Sequence, residues 1–406
     1  MNRRQFLQSA AALPVAAAGI GAAPQARSDE LKRCVITEVT GFRHVCQRPR
    51  FVGKNSHLDD HGRTTTDHVL RIMTDRGVEG IGVGNVTPEV ARRVVSRSLD
   101  EFWSAERKVV SPLGRADHAL YDLIGKALGV PAWKLLGGEG PEWVPIYDGS
   151  IYFDDLQPEF ADRGVARIVE EVQAGLDAGH RAFKIKVGRG FKWMEQGAGF
   201  RRDVEVMRAV RKHVGPKVRL MVDANNAFDL DGTIRWLDAV DDDLFFVEEM
   251  FPERVEDDLK LKEYLKAKRR TTLVADGESA REVDHFDPYI KAGALDVLQA
   301  DIRAFGLTLL WELSRRAAAA SHRALLAPHN WGSFLGVYMM VVLGRGIPNF
   351  LMAEEDMSSS DLFDTSAFVK KEGRMKVPDT PGCGLVLRED VFEARYRKDA
   401  WTVGGD

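Results

Sequence analysis

Seven titratable residues (Lys186, Asp223, Glu248, Glu278, Asp301, His329 and Glu354) each close a short apolar segment. Successive ones stand about 30 residues apart, the length of one βα repeat. With VPIYDGSIY ahead of them, the segments number eight: AFKIKVG, VRLMVDAN, LFFVEEM, TLVADGES, DVLQAD, ALLAPHN and NFLMAEE complete the set. Helix-like stretches such as ARIVEEVQAGLDAG, DVEVMRAVRKHVG and LTLLWELSRRAAAAS separate them. Eight strands alternating with helices predict an α/β fold, a parallel (β/α)-barrel of modified TIM type over residues 141–358. The competing doubly wound open sheet would carry a Gly-rich phosphate fingerprint after its first strand in its dinucleotide-binding form, and none is present. In a barrel the C-terminal strand ends converge on one mouth, so the recurrence brings all seven groups together.

At 406 residues the chain has room for a second unit beside the barrel. Residues 33–47, DHVLRIMTD and GVEGIGVGN read as strands, and residues 87–104 and 115–128 as helices. They predict an α+β capping domain over residues 27–140. The tail, residues 359–406, breaks the alternation and is expected to pack on that domain. The first 26 residues begin NRRQFLQ and run into AAALPVAAAGIGAA. Arg3-Arg4 followed by Phe6-Leu7 is a twin-arginine export pattern, and small residues near Ala23–Ala26 suit cleavage. The expected location is periplasmic, with no membrane attachment once the signal is removed. Cys34 and Cys46 would lie roughly 40 Å apart on one extended strand, so free thiols are expected. The net charge of -4 and the absence of a Lys/Arg-rich run give no reason to expect a nucleic-acid partner.

Chemistry follows from the strand ends. Asp223, Glu248 and Glu278 come from consecutive strands, and three converging carboxylates repel unless a cation compensates. Oxygen-only ligation suits a hard cation such as Mg2+, and the absence of His or Cys in the trio disfavours zinc. Lys184 and Lys186 share strand parity and so one face. Two neighbouring ammonium groups and a cation are expected to depress a lysine pKa, fitting it to act as a base. Asp301 and His329 end adjacent strands, where a carboxylate would fix the imidazole tautomer and stabilise its protonated form.

These residues resemble the enolase superfamily, in its mandelate racemase/muconate lactonizing group. KIK resembles that group's second-strand Lys-x-Lys motif, implying Lys186 as base and Lys184 beside the substrate carboxylate. DANNAF, FVEEMFPE and ADGES resemble the metal motifs, implying Asp223, Glu248 and Glu278 as Mg2+ ligands and Asn225 as a substrate contact. QADIRAFG and APHN resemble the Asp301–His329 dyad, and AEED supplies an eighth-strand acid, Glu354 or Glu355, with Glu354 preferred. ADHALYDLIGKALGVPAWKLLGG resembles the stretch leading into the barrel. One departure is that Met250 and Phe251 precede Pro252, where the family often has proline directly after the Glu pair.

The resemblance implies Mg2+-assisted removal of the α-proton of a carboxylate substrate to an enediolate. Dehydration of an acid sugar is the first expectation, and racemisation or epimerisation of a 2-hydroxy or sugar acid the alternative. A periplasmic sugar-acid binding protein is a rival, though a binder needs no paired bases. A homo-oligomer is expected. The polar segment from Arg48 to Thr66 is expected to form a mobile lid in which Arg50, Lys54 and His57 contact the far end of the substrate.

Overall fold

The computed structural model of the chain describes residues 29–404, and the expected export signal lies outside them. Strands Ile36–Val52, Gly62–Thr74 and Glu79–Val83 form an antiparallel sheet. The C-terminal strand Trp401–Gly404 adds to its edge, pairing with the first strand. The end of the tail therefore returns to the N-terminal unit, whereas its middle, at Arg374–Lys376, joins the barrel. Helices His118–Ala127 and Ala132–Leu136 lie between this sheet and the barrel.

Two local expectations are corrected. The helix expected over residues 87–104 is only Pro88–Arg92. Beyond it, Ser96 donates to the Ile36 carbonyl and Ile36 to that of Arg97, at 2.7 and 2.9 Å. Backbone pairing to the sheet thus outcompetes helix continuation, and Ser96 turns with φ 64°. The polar segment 48–66 is also largely strand, so its loop is confined to residues 53–61.

The barrel strands are Trp143–Ile151, Ala182–Lys186, Arg219–Asp223, Phe246–Glu248, Leu273–Asp276, Val297–Leu298, Leu325–Leu326 and Ala353–Glu355. The first seven pair parallel in order, the seventh bridges in parallel from Leu326 to Phe350, and the eighth pairs with the first through Ala353↔Ile146 and Glu354↔Tyr147, closing the ring. Seven helices separate the eight strands, from Val165–Asp177 to Phe334–Gly346. After the eighth strand the chain turns back, and Arg374–Lys376 pairs antiparallel with the start of the first barrel strand.

Side chains on alternate strand positions fill the bore. Its floor is a separate apolar cluster of Tyr147, Ala182, Met221, Phe246, Ala275, Val297, Leu325, Ala327, Leu351 and Met352. Phe183, Ile185, Leu220, Val222 and Val247, of the opposite parity, belong to the larger core between strands and helices. All three cysteines are buried and free. Among the described residues no helix is long and apolar enough to cross a membrane.

Candidate active site

Two residues beyond six of the floor positions the chain turns polar. Ala182 leads to Lys184 and Lys186, Met221 to Asp223, Phe246 to Glu248, Val297 to Gln299 and Asp301, Ala327 to His329, and Met352 to Glu354. A strand presents every second side chain to one face, so the bore passes from grease to charge within two steps. Glu278 breaks the parity, lying three residues after Ala275. Gly277, at φ 115°, makes the turn that brings it in; a Cβ there would lie 2.3 Å from the Phe286 ring.

Asp223, Glu248 and Glu278 meet, each offering a carboxylate oxygen within 4.8 Å of the others. Asp223 and Glu248 are 0% and 1% exposed. The charge facing them is lysine. Lys184 Nζ reaches Glu248 at 2.6 Å, Glu354 at 2.8 Å and Asp223 at 3.4 Å. Lys186 Nζ donates to Asp223 and, at 2.8 Å, to Asn225 Oδ1. Burial pushes Asp223 up, but Lys186 and Lys184 outweigh it and hold the carboxyl below its ordinary range. Burial lowers Lys186, while Asp223, in contact with it, outweighs burial and raises its pKa. The depression expected above needs a cation beside the two ammonium groups, at the carboxylate that Lys186 meets here.

His329 flanks the trio on the other side. Its Nδ1 lies 2.8 Å from Asp301 Oδ2 and its Nε2 3.3 Å from Glu278 Oε2. Asp301 has two tasks, because it also caps the helix Ile302–Ala319, Oδ1 accepting from the amides of Arg303 and Ala304. Burial opposes charge on His329, but Glu278 and Asp301 outweigh it and raise its pKa to about 10. Burial likewise raises Asp301, and His329 more than compensates, bringing it to about 2. The imidazolium and its carboxylate are thus mutually stabilised.

The two eighth-strand acids point in opposite directions. Glu354 faces the bore, held by Lys184 and by the Asn330 amide at 2.8 Å. Glu355 faces outward to His180 and Lys370. Asn225 Nδ2 donates to Glu249 Oε2 at 3.1 Å, so this side chain bridges Lys186 and Glu249.

The three residues expected at the far end of the substrate have side-chain partners outside this cluster. Arg50 donates to Ser150 at 3.0 Å and pairs with Asp148 at 3.5 Å. Lys54 lies over the Trp193 ring, and the exposed His57 packs on Phe191. The loop itself does reach the mouth: Ser56 Oγ donates to the Ala224 carbonyl at 2.8 Å. Sequence reasoning missed Gln299, whose amide donates to Glu248 Oε2 at 2.6 Å, although its parity with Asp301 marks it. It also missed the stacked rings of Tyr152 and Trp331, 4.6 Å apart, and His61 against both. No periodic signal marks those three.

Residues 167–391 match the family model described as enolase C-terminal domain-like. A galacturonate dehydratase from Geobacillus sp., solved with D-galacturonate and 5-keto-4-deoxy-D-galacturonate, is 32% identical with a TM-score of 0.85, the match covering 92% of this chain and 100% of that one. A mandelate racemase/muconate lactonizing protein from Geobacillus sp., solved with magnesium and tartrate, is 31% identical with a TM-score of 0.84, covering 92% and 98%. The 3,6-anhydro-alpha-L-galactonate cycloisomerase of Streptomyces coelicolor is 30% identical over 68% of this chain and 70% of its own. The D-gluconate/D-galactonate dehydratase of Picrophilus torridus is 28% identical over 77% and 81%. With the strand-end residues in the same order as the family's motifs, this chain belongs to the enolase superfamily, in its mandelate racemase/muconate lactonizing group.

Proposed function

We propose that the chain is a Mg2+-dependent acid-sugar dehydratase. The observation that carries this reading is the two-sided arrangement of Lys186 on Asp223 and His329 on Glu278, flanking one carboxylate trio. Asp223, Glu248 and Glu278 would hold the ion. They fit it: the donors are all oxygen, and the buried Glu278 Oε2, an ion-pair partner of His329 at 3.3 Å, accepts no hydrogen bond among the described residues. When bound, Mg2+ supplies positive charge that offsets the extra negative charge developing on the substrate carboxylate.

The chain's own groups do the rest. Lys184, with Glu354 orienting it, binds the substrate carboxylate. Lys186, once deprotonated, takes the α-proton, leaving an enediolate; Asn225 keeps its amine in place. His329, charged and oriented by Asp301, gives its proton to the β-hydroxyl, which leaves as water. The enol product then tautomerises to a 2-keto-3-deoxy acid. A second reading keeps the same residues: without a leaving group, His329 returns a proton to the opposite face and the product is an epimer. A purely binding role is disfavoured by the buried acid–base pair. Arg50, Lys54 and His57 are proposed to act by seating the loop 53–61.

The test is incubation with Mg2+ and a library of acid sugars, following 2-keto-3-deoxy acid formation and α-epimerisation. Formation of the keto acid from at least one of them is expected. Binding without turnover or α-proton exchange across the library would favour the binding protein. We also propose a homo-oligomeric enzyme that acts in the periplasm, exported by residues 1–26. Replacing Arg3 and Arg4 with lysine should leave unprocessed protein in the cytoplasm, and normal periplasmic accumulation would refute that route.

A further inference from the structure

We infer that His61 reads the far end of the substrate, and that this end is an uncharged hydroxyl rather than a second carboxylate. The inference rests on the function proposed above and narrows its substrate class to monocarboxylate sugar acids. Trp331 Nε1 lies 3.2 Å from His61 Nδ1. An indole N–H can only donate, so Nδ1 must carry a lone pair, and the proton of the neutral ring sits on Nε2. That Nε2 is buried and has no hydrogen-bond partner among the described residues. Burial, with Lys186 and Arg48 nearby, pushes the ring down to about 4 and keeps it neutral. A buried donor without an acceptor is costly unless something bound supplies one.

Its surroundings connect it to the chemistry. The His61 ring packs 4.8 Å from Tyr152, whose ring lies 5.1 Å from Lys186 Nζ. His61 thus stands two ring contacts from the Lys186 amine, on the side of the mouth where the far end of a bound acid would lie. A carboxylate arriving there would need a cation, and the nearby ones are taken. Arg48 gives Nε and Nη2 to Asp356, and Nη1 to the carbonyls of His61, Gly62 and Thr64. Arg50 is bound to Ser150 and Asp148, and Lys186 to Asp223 and Asn225. One neutral donor in a site short of free cations suits a hydroxyl oxygen and disfavours an unpaired charge.

The experiment measures kcat/KM with Mg2+ on pairs differing only at the far end, gluconate with glucarate and galactonate with galactarate. The wild type, His61→Phe and His61→Gln are compared. The wild type should prefer the aldonate of a pair by about tenfold or more, because a site built around one polar group rejects a mismatched one. His61→Phe should lower kcat/KM on the aldonate about 10- to 100-fold, chiefly through KM, and change the aldarate by no more than about twofold. His61→Gln can accept from Trp331 and still donate, so it should retain most of the preference, and it decides the matter if the phenylalanine variant misfolds. Wild-type preference for the aldarate, or an equal loss on both members in His61→Phe, overturns this inference and leaves the dehydratase standing. Failure of the wild type to bind or turn over any acid of the whole library, these four included, by calorimetry and assay, overturns both.

Discussion

The barrel mouth and the loop over it hold their polar groups in opposite ways. In the mouth, side chain meets side chain: Lys184 on Glu248 and Glu354, Gln299 on Glu248, His329 on Asp301. Each lies in or just after a parallel barrel strand, with an apolar floor residue two positions before it, or four in the case of Asp301. In the loop 53–61, side chains mostly meet backbone. Trp193 Nε1 donates to the Asn55 carbonyl at 2.6 Å, Lys192 Nζ to that of His57 at 2.9 Å, and Ser56 Oγ to that of Ala224. A network of buried charges tolerates little, because removing one partner strands another in a low-dielectric site. Bonds to carbonyls constrain the path of the chain and ask little of its side chains. The mouth is therefore built to hold a reaction constant, and the loop to change what enters.

The largest expected effects test the first half of that contrast. Asp223→Asn, Glu248→Gln and Glu278→Gln should each abolish measurable Mg2+ binding in calorimetry and lower turnover by about 10³-fold or more. Two variants retaining wild-type Mg2+ affinity would mean the trio is not the metal site. Gln299→Leu comes next. It removes only the donor behind Glu248, and a lost partner behind a ligand typically weakens metal affinity about 10- to 100-fold. An unchanged Mg2+ dissociation constant would show that Glu248 is held well enough by Lys184 alone. The smallest effects belong to the loop. Arg50→Ala, Lys54→Ala and His57→Ala should leave Mg2+ affinity intact, with at least one lowering turnover by about tenfold, a loss of roughly 1.4 kcal/mol. Wild-type kinetics in all three would remove them from recognition and break the contrast there.

The same contrast explains what could be read from the sequence. The barrel was legible because strand parity and the βα repeat are periodic, and periodicity survives in a string of letters. Lys184, Lys186, Asp223, Glu248, Asp301 and His329 all sit on that ladder. Glu278 departs from it, and only its recurrence after an apolar segment betrays it, since the turn at Gly277 is a three-dimensional fact. Glu354 and Glu355 could not be separated without the register to Tyr147 and Asp148. The loop was illegible for a different reason. Arg50 looks like a free cation until Asp148, 98 residues away, is placed beside it. The helix expected over 87–104 failed likewise, because Ile36 lies far upstream and competes for the backbone of residues 96 and 97. Long-range partners leave no local trace.

Solvent deuterium exchange at the substrate α-carbon tests the central claim, that Lys186 and His329 face one α-carbon from two sides. The measurement is proton NMR on Mg2+-loaded wild type, Lys186→Met, His329→Asn and the double variant, with the best acid sugar and its α-epimer. Each single variant should lose net turnover by about 10²- to 10⁴-fold, the usual contribution of a general acid or base. Yet each should still exchange the proton of the isomer that presents it to the surviving base, and the double variant should exchange neither. Exchange persisting in the double variant at the wild-type rate would contradict the account.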